Sequence, residues 1–186
     1  MKKLIALILL CLSAQAHALE VTGVTVPDTA QVGNAALLLN GAGLRTKFFF
    51  KVYVGALYLD KKAHTAAAVL ANTGPQRIAM FWKMEVDTPD IQDGFKEGFD
   101  ANNTPAEIAA LAPQLKQLMA AFGTFRQVQE GDVINIDYLP GEGLRITLNG
   151  REIGRIAGAE FYMALLRIWF GEHAVDDALG RGMLGN

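Results

Sequence analysis

Read by the spacing of its apolar positions, the chain opens with short runs of strand character, passes into a helical period, and returns to alternation before a last helix. Residues 20–26 and 36–39 are short runs bounded by Gly, Pro or Asn, as strands and strand edges are. The stretch Lys47-Phe-Phe-Phe-Lys-Val-Tyr-Val-Gly-Ala-Leu-Tyr-Leu59 is dense in aromatic and β-branched residues. It predicts a long strand, or a pair of strands joined at a bulge near Gly55. Phe48, Phe50, Val52 and Val54 fall on one face of it, and Phe49, Tyr53, Leu57 and Leu59 on the other. A strand apolar on both faces belongs inside a sheet that is covered on both sides. Residues 63–72 predict a short helix ended by Asn-Thr-Gly-Pro, and residues 77–86 another strand.

Two helix starts follow. Thr88 is placed to cap a helix whose first position is Pro89, with Ile91, Phe95 and Phe99 on one face at i, i+4 and i+8. Thr104-Pro-Ala-Glu107 is a capping box, in which the Thr hydroxyl and the Glu carboxylate take up backbone donors that the first turn leaves free. Its helix turns Ile108, Leu111, Leu115, Leu118, Met119 and Phe122 inward, reaches about Gly123, and is expected to bend at Pro113. Residues 132–139, 144–148 and 151–156 then form an antiparallel meander, its last turn Asn149-Gly150 being the pair best suited to a two-residue hairpin. Residues 159–170 predict a helix with Phe161, Leu165 and Ile168 on one face and Trp169 beside them, and residues 176–179 a last short one. Strands and helices are segregated rather than alternating, so the fold class is α+β, with helices laid on one face of a large antiparallel sheet.

Composition narrows the chemistry. The first eighteen residues have the form of a removable export signal: Lys2 and Lys3, an apolar run over 4–12, then Ala16-His17-Ala18. Cleavage near Ala18 would leave a single domain of residues 19–186 and, by removing two lysines, take the formal net charge from −2 to −4. That balance argues against a nucleic-acid partner, or an anionic membrane held by bulk charge. No apolar stretch after the leader is long enough to span a bilayer. The localisation expected is periplasmic or secreted. The only Cys, Cys11, and the only Ser, Ser13, lie in the leader. A processed chain therefore offers neither thiol nor serine hydroxyl, which excludes serine and cysteine nucleophile chemistry and a disulfide framework. His64 and His173 stand in no metal-ligand spacing, and the acids Asp87, Asp90, Asp93, Glu97 and Asp100 fit a solvated helix face rather than a calcium loop. No metal, nucleotide or other cofactor is implied.

Two residues remain as candidates for chemistry. Gly41-Ala-Gly-Leu-Arg-Thr46 lacks the third glycine of a dinucleotide loop and leads into a strand, so it reads as a permissive turn that delivers Arg45 to the start of the apolar strand. A guanidinium among phenylalanines must be hydrated, paired with a carboxylate, or held ready for an anionic ligand. The residues alone favour the structural salt bridge. Tyr53, of the same strand parity as Lys47 and Lys51, either packs or donates a hydrogen bond to whatever Arg45 binds, and the residues alone favour packing.

Three segments carry a family resemblance: Asn40-Gly-Ala-Gly-Leu-Arg45, Lys51-Val-Tyr-Val-Gly-Ala-Leu-Tyr-Leu59 and Leu166-Arg-Ile-Trp-Phe-Gly-Glu-His-Ala-Val175. Together they resemble the chalcone isomerase family, and within it the bacterial chalcone isomerase-like exported proteins, over about residue 35 to the C-terminus. The resemblance implies an open-faced β-sandwich with a ligand cleft between sheet and helices. In the plant enzymes the motif arginine stabilises the reacting phenolate, and it matches Arg45. The enzymes' other polar residues do not carry over: the strand threonine falls at Tyr53, the helix tyrosine near Ile91, the helix asparagine near Gly98 and the late threonine at Ile168. Non-catalytic relatives bind fatty acids, the arginine and a strand tyrosine holding the carboxylate, and Arg45 with Tyr53 fits that pattern better. The expectation is therefore a non-catalytic envelope protein holding a small amphipathic anion such as a fatty acid in an apolar cleft, with Arg45 and Tyr53 at its polar end. The alternatives are a cofactor-free isomerase using Arg45 for an oxyanion, and an envelope scaffold or assembly factor with no small ligand.

Overall fold

The computed structural model describes residues 18–186; apart from Ala18, the export segment read in the sequence lies outside them. The first run is not one strand but a hairpin, β1 (Ala18–Val21) and β2 (Val24–Pro27), because Thr22 and Gly23 take positive φ between them. After β3 (Thr29–Val32) comes β4 (Ala35–Lys47), a strand of thirteen residues that runs straight through the motif read as a turn. The chain reverses only at Phe48 and Phe49, and β5 (Phe50–Leu59) returns beside β4. The aromatic stretch is therefore half of a hairpin and its tip. The single strand predicted from residue 47 fails because Phe48, at φ 56°, makes the turn.

Helix α1 (Ala66–Leu70) leads to β6 (Gln76–Trp82), which ends four residues earlier than predicted. A two-residue strand, β7 (Val86–Asp87), precedes α2 (Thr88–Asn102). Asp87, not Thr88, is the residue before α2. The Thr88 hydroxyl instead donates to the Phe125 carbonyl at 2.7 Å and ties the helix start to a distant loop. Helix α3 (Pro105–Phe122) has the predicted capping box and runs unbroken through Pro113. The Thr104 backbone donor, followed by Arg167 and the Thr104 hydroxyl, holds the Glu107 carboxyl down to about 2. After β8 (Gln127–Val128) the meander β9 (Val133–Leu139), β10 (Gly143–Leu148) and β11 (Arg151–Ile156) forms as expected, with Asn149 and Gly150 at φ 50° and 80°. Helices α4 (Ala159–Phe170) and α5 (Asp177–Met183) close the chain, α5 being longer than the sequence suggested. None of the helices among the described residues is long and apolar enough to cross a membrane.

The seven-stranded antiparallel sheet has the order β11-β10-β9-β6-β5-β4-β3, so β5 is internal as its two apolar faces require. One face, with Leu57, Ile78, Met80, Ile136 and Ile146, is buried against α2, α3 and α4 through Phe99, Leu118, Phe122, Phe161 and Leu165. The other, with Val32, Leu37, Val54, Ala56 and Tyr58, is covered in part by Val26 of β2. On that sheet Arg77, Asp137 and Arg145 stand directly across from one another on β6, β9 and β10. Asp137 is fully buried and receives Nη2 of Arg77 at 2.8 Å and Nη2 of Arg145 at 2.6 Å.

The two glycines of the motif mark a close approach, not a turn. Helix α5 lies on β4 there, and a Cβ added at Gly43 would sit 2.7 Å from the Leu179 carbonyl oxygen. Backbone on both sides leaves little to yield, so Gly43→Ala is expected to cost about 1–3 kcal/mol through overpacking. A urea unfolding midpoint unchanged from wild type would contradict this packing.

Candidate functional site

The hairpin of β4 and β5 aims the two candidate residues at one place. Arg45 and Tyr53 are direct cross-strand partners, whereas Thr46 pairs with Lys51, so Val52 is an extra residue on β5. Such a bulge interrupts the alternation of faces. Val52 and Tyr53 consequently both line the same cavity, contrary to the regular parity that placed them on opposite faces. The Arg45 guanidinium carbon lies 5.6 Å from the centre of the Tyr53 ring, within the range of a cation–π contact.

The cavity opens between the sheet and helices α2 and α4 and has a volume of about 230 Å³. Arg45, Val52, Tyr53 and Trp82 line it from the sheet; Ile91 and Phe95 come from α2, and Ile168 and Trp169 from α4. Lys47, Phe48 and Phe50 at the hairpin tip also border it. Asp90, in the first turn of α2, is the single carboxylate lining it among the described residues, and no His, Ser, Thr or Cys of those residues does so.

The polar residues lining the cavity are rich in donors and poor in acceptors. Arg45 is half-buried, and its Nε is buried without a hydrogen-bond partner among the described residues. The salt bridge favoured by the residues alone is not formed: among the described residues no carboxylate lies within 4 Å of Arg45. Asp176, beside the end of β4, is committed elsewhere. Burial works to raise its carboxyl, but backbone donors from Thr46, Leu179 and Ala178 outweigh that and hold it below the usual range. Tyr53 is 3% exposed and its oxygen accepts the Trp169 indole N–H at 3.1 Å. Burial pushes the Tyr53 hydroxyl pKa up against the opposing pull of Arg45, so the phenol keeps its proton at neutral pH. That proton has no acceptor among the described side chains. Trp82, its ring 5.4 Å from that of Tyr53, also has its indole nitrogen buried without a partner among the described residues. Buried polar atoms are nearly always satisfied. Two unpartnered donors and a free phenol proton on neighbouring residues form a site suited to an acceptor that carries negative charge.

The sequence singled out Arg45 and Tyr53, left Trp82 unmarked, and placed Asp90 on a solvated helix face, whereas it lines the cavity. Trp82 had one signal, an indole donor at the end of an otherwise apolar strand, which a buried tryptophan must place somewhere. Asp90 had none beyond its first-turn position. Of the residues matched to lost enzyme side chains, Ile91 and Ile168 line the cavity, while Gly98 lies against Ile168 at the α2–α4 contact. A second hollow of about 310 Å³ lies on the opposite face of the sheet beside Tyr58 and Arg77. Its guanidinium is already held by Asp137, which leaves it without the free donors of the first.

Comparison with known proteins agrees with this architecture. The family model described as chalcone isomerase-like matches residues 18–185. Among solved structures, the crystal structure of an Arabidopsis thaliana fatty-acid binding protein superposes with a TM-score of 0.66, at 16% sequence identity, over 88% of this chain and 92% of that one. None of the curated proteins matches the sequence.

Proposed function

The chain belongs to the chalcone isomerase-like family, and from that premise we propose that it is a non-catalytic binding protein of the cell envelope for a small amphipathic anion such as a fatty acid. Arg45 and the Tyr53 hydroxyl take the carboxylate, and the apolar walls take the start of the chain. The observation that carries this reading is the donor set of Arg45 Nε and Trp82 Nε1, both without a partner among the described residues and both on residues that line an apolar cavity. That a structural neighbour is a fatty-acid binding protein supports the same ligand class. The cavity is smaller than the ~300–1,000 Å³ of most small-molecule sites, so it suits a head group and a short run of methylenes. The rest of a longer chain would leave past Phe48 and Phe50. Export rests on the leader pattern of residues 1–18.

Two features weigh against the alternatives. The cavity presents Ile91 and Ile168 where the enzyme resemblance would set hydroxyl groups, and without them a bound phenolate and its bridging water lose their positioning. The scaffold reading calls for a cleft filled by side chains, and this one is open.

The test is a titration followed by tryptophan fluorescence, since Trp82 and Trp169 both line the cavity. A saturated fatty acid is expected to give a saturable change. The alcohol of the same chain length should bind about tenfold or more weakly, because a neutral head group forfeits the charge-assisted bonds. Equal binding of acid and alcohol would contradict a carboxylate at Arg45.

A further inference from the structure

The residues that the cavity leaves over are at its mouth. Phe48, Phe49 and Phe50 form the tip of the β4–β5 hairpin and are 86%, 98% and 61% exposed, more than any other large apolar side chains among the described residues. Lys47 and Lys51 flank them, both exposed and neither in an ion pair among the described residues. Phe48 holds this place at φ 56°, a conformation that glycine or asparagine adopts far more readily than an aromatic residue. Folding therefore gains little from Phe48 at this turn, and its exposed ring is unfavourable in water.

We propose that this tip docks the protein on an anionic lipid bilayer, with the three phenylalanines in the interfacial region, the two lysines at the head groups, and the cavity mouth facing the membrane. An aromatic tip flanked by cations has the chemistry of an interfacial anchor: apolar rings enter below the head groups while ammonium groups pair with anionic lipids. The net negative charge of the whole chain opposes attraction by bulk charge, so the binding is local to this tip. A protein partner fits less well. Three phenylalanines offer on the order of 600 Å², below the ~800 Å² that each partner contributes to a stable interface, and they stand on a projecting turn rather than a flat face. Because Lys47, Phe48 and Phe50 also border the cavity, docking would let an amphiphile pass between bilayer and cavity without crossing water. The proposal deepens the ligand-binding reading and rests on it for its cargo, while docking itself is measured separately.

The experiment uses protein recovered from an exporting host, its N-terminus read by mass spectrometry and identical in every variant. Flotation is measured with vesicles of phosphatidylcholine alone, and of phosphatidylcholine with one third phosphatidylglycerol. Phe49→Glu and Lys51→Glu are the informative variants, since neither residue lines the cavity. Wild type is expected to float with the anionic vesicles, less so in high salt, and each variant to bind about tenfold or more weakly. Fatty-acid affinity in vesicle-free solution should stay at the wild-type value in both. Arg45→Ala should show the reverse, normal flotation with ligand lost, which separates failure of docking from failure of the pocket. Wild type that does not float, variants that float equally well, or a dimer in sedimentation that Phe49→Glu abolishes would each overturn the proposal.

Discussion

Arg45→Ala is expected to weaken binding of a fatty acid by about 2–5 kcal/mol, the cost of removing one member of a buried, hydrogen-bonded charge pair, or roughly thirtyfold to several thousandfold in Kd. The fold should lose little. Among the described residues the guanidinium has no carboxylate and its Nε has no partner, so truncation removes a cost of burial and, against it, only the contact with Tyr53. Unfolding midpoints equal to or above wild type, beside a lost ligand, are the signature of a residue kept for binding. A variant that retained its ligand and lost stability would instead assign Arg45 to structure.

Asp137→Ala is expected to have the opposite profile. The carboxylate is fully buried between Arg77 and Arg145, and removing it leaves two guanidinium groups facing each other across β9. Breaking a buried pair in this way costs about 3–5 kcal/mol. Because both arginines keep some solvent contact, at 17% and 23% exposure, the lower end applies. A loss of about 3 kcal/mol lowers Tm by about 10 °C in a chain of this size, measured by thermal denaturation. Ligand affinity below the melting range should be unchanged, since the cluster lies on the sheet beside the second hollow and away from the cavity. A Tm within a degree or two of wild type would show that solvent rather than Asp137 satisfies the two arginines.

The sequence made the local signals legible and the close approaches illegible. The capping box at Thr104, the Asn149-Gly150 turn and the 159–170 helix need only neighbouring residues to form, and each is found where their chemistry put it. Gly41 and Gly43 read as a turn because glycine permits one, but their function depends on α5, which arrives from some 140 residues later in the chain. The hairpin tip was hidden for a related reason. Phe-Phe-Phe has strong strand propensity and no turn residue, so only the pairing of β4 with β5 shows where the chain reverses. Thr88 had the right chemistry for a cap, in which its hydroxyl accepts, but that hydroxyl donates instead to the Phe125 carbonyl, a contact no local pattern encodes. For the site, Arg45 could be picked out as a charge in apolar surroundings, yet whether it was paired could be decided only once Asp176 was seen to be occupied by backbone donors. The bulge at Val52, which turns Tyr53 toward Arg45, likewise depends on the register between two strands.

Whether Arg45 holds a carboxylate is read out by native mass spectrometry of protein from an exporting host, before and after organic extraction and beside Arg45→Ala. Wild type is expected to carry a mass excess that matches a carboxylic lipid, is removed by extraction, and is absent from the variant. A wild-type protein that is empty and also takes up no added fatty acid would contradict it.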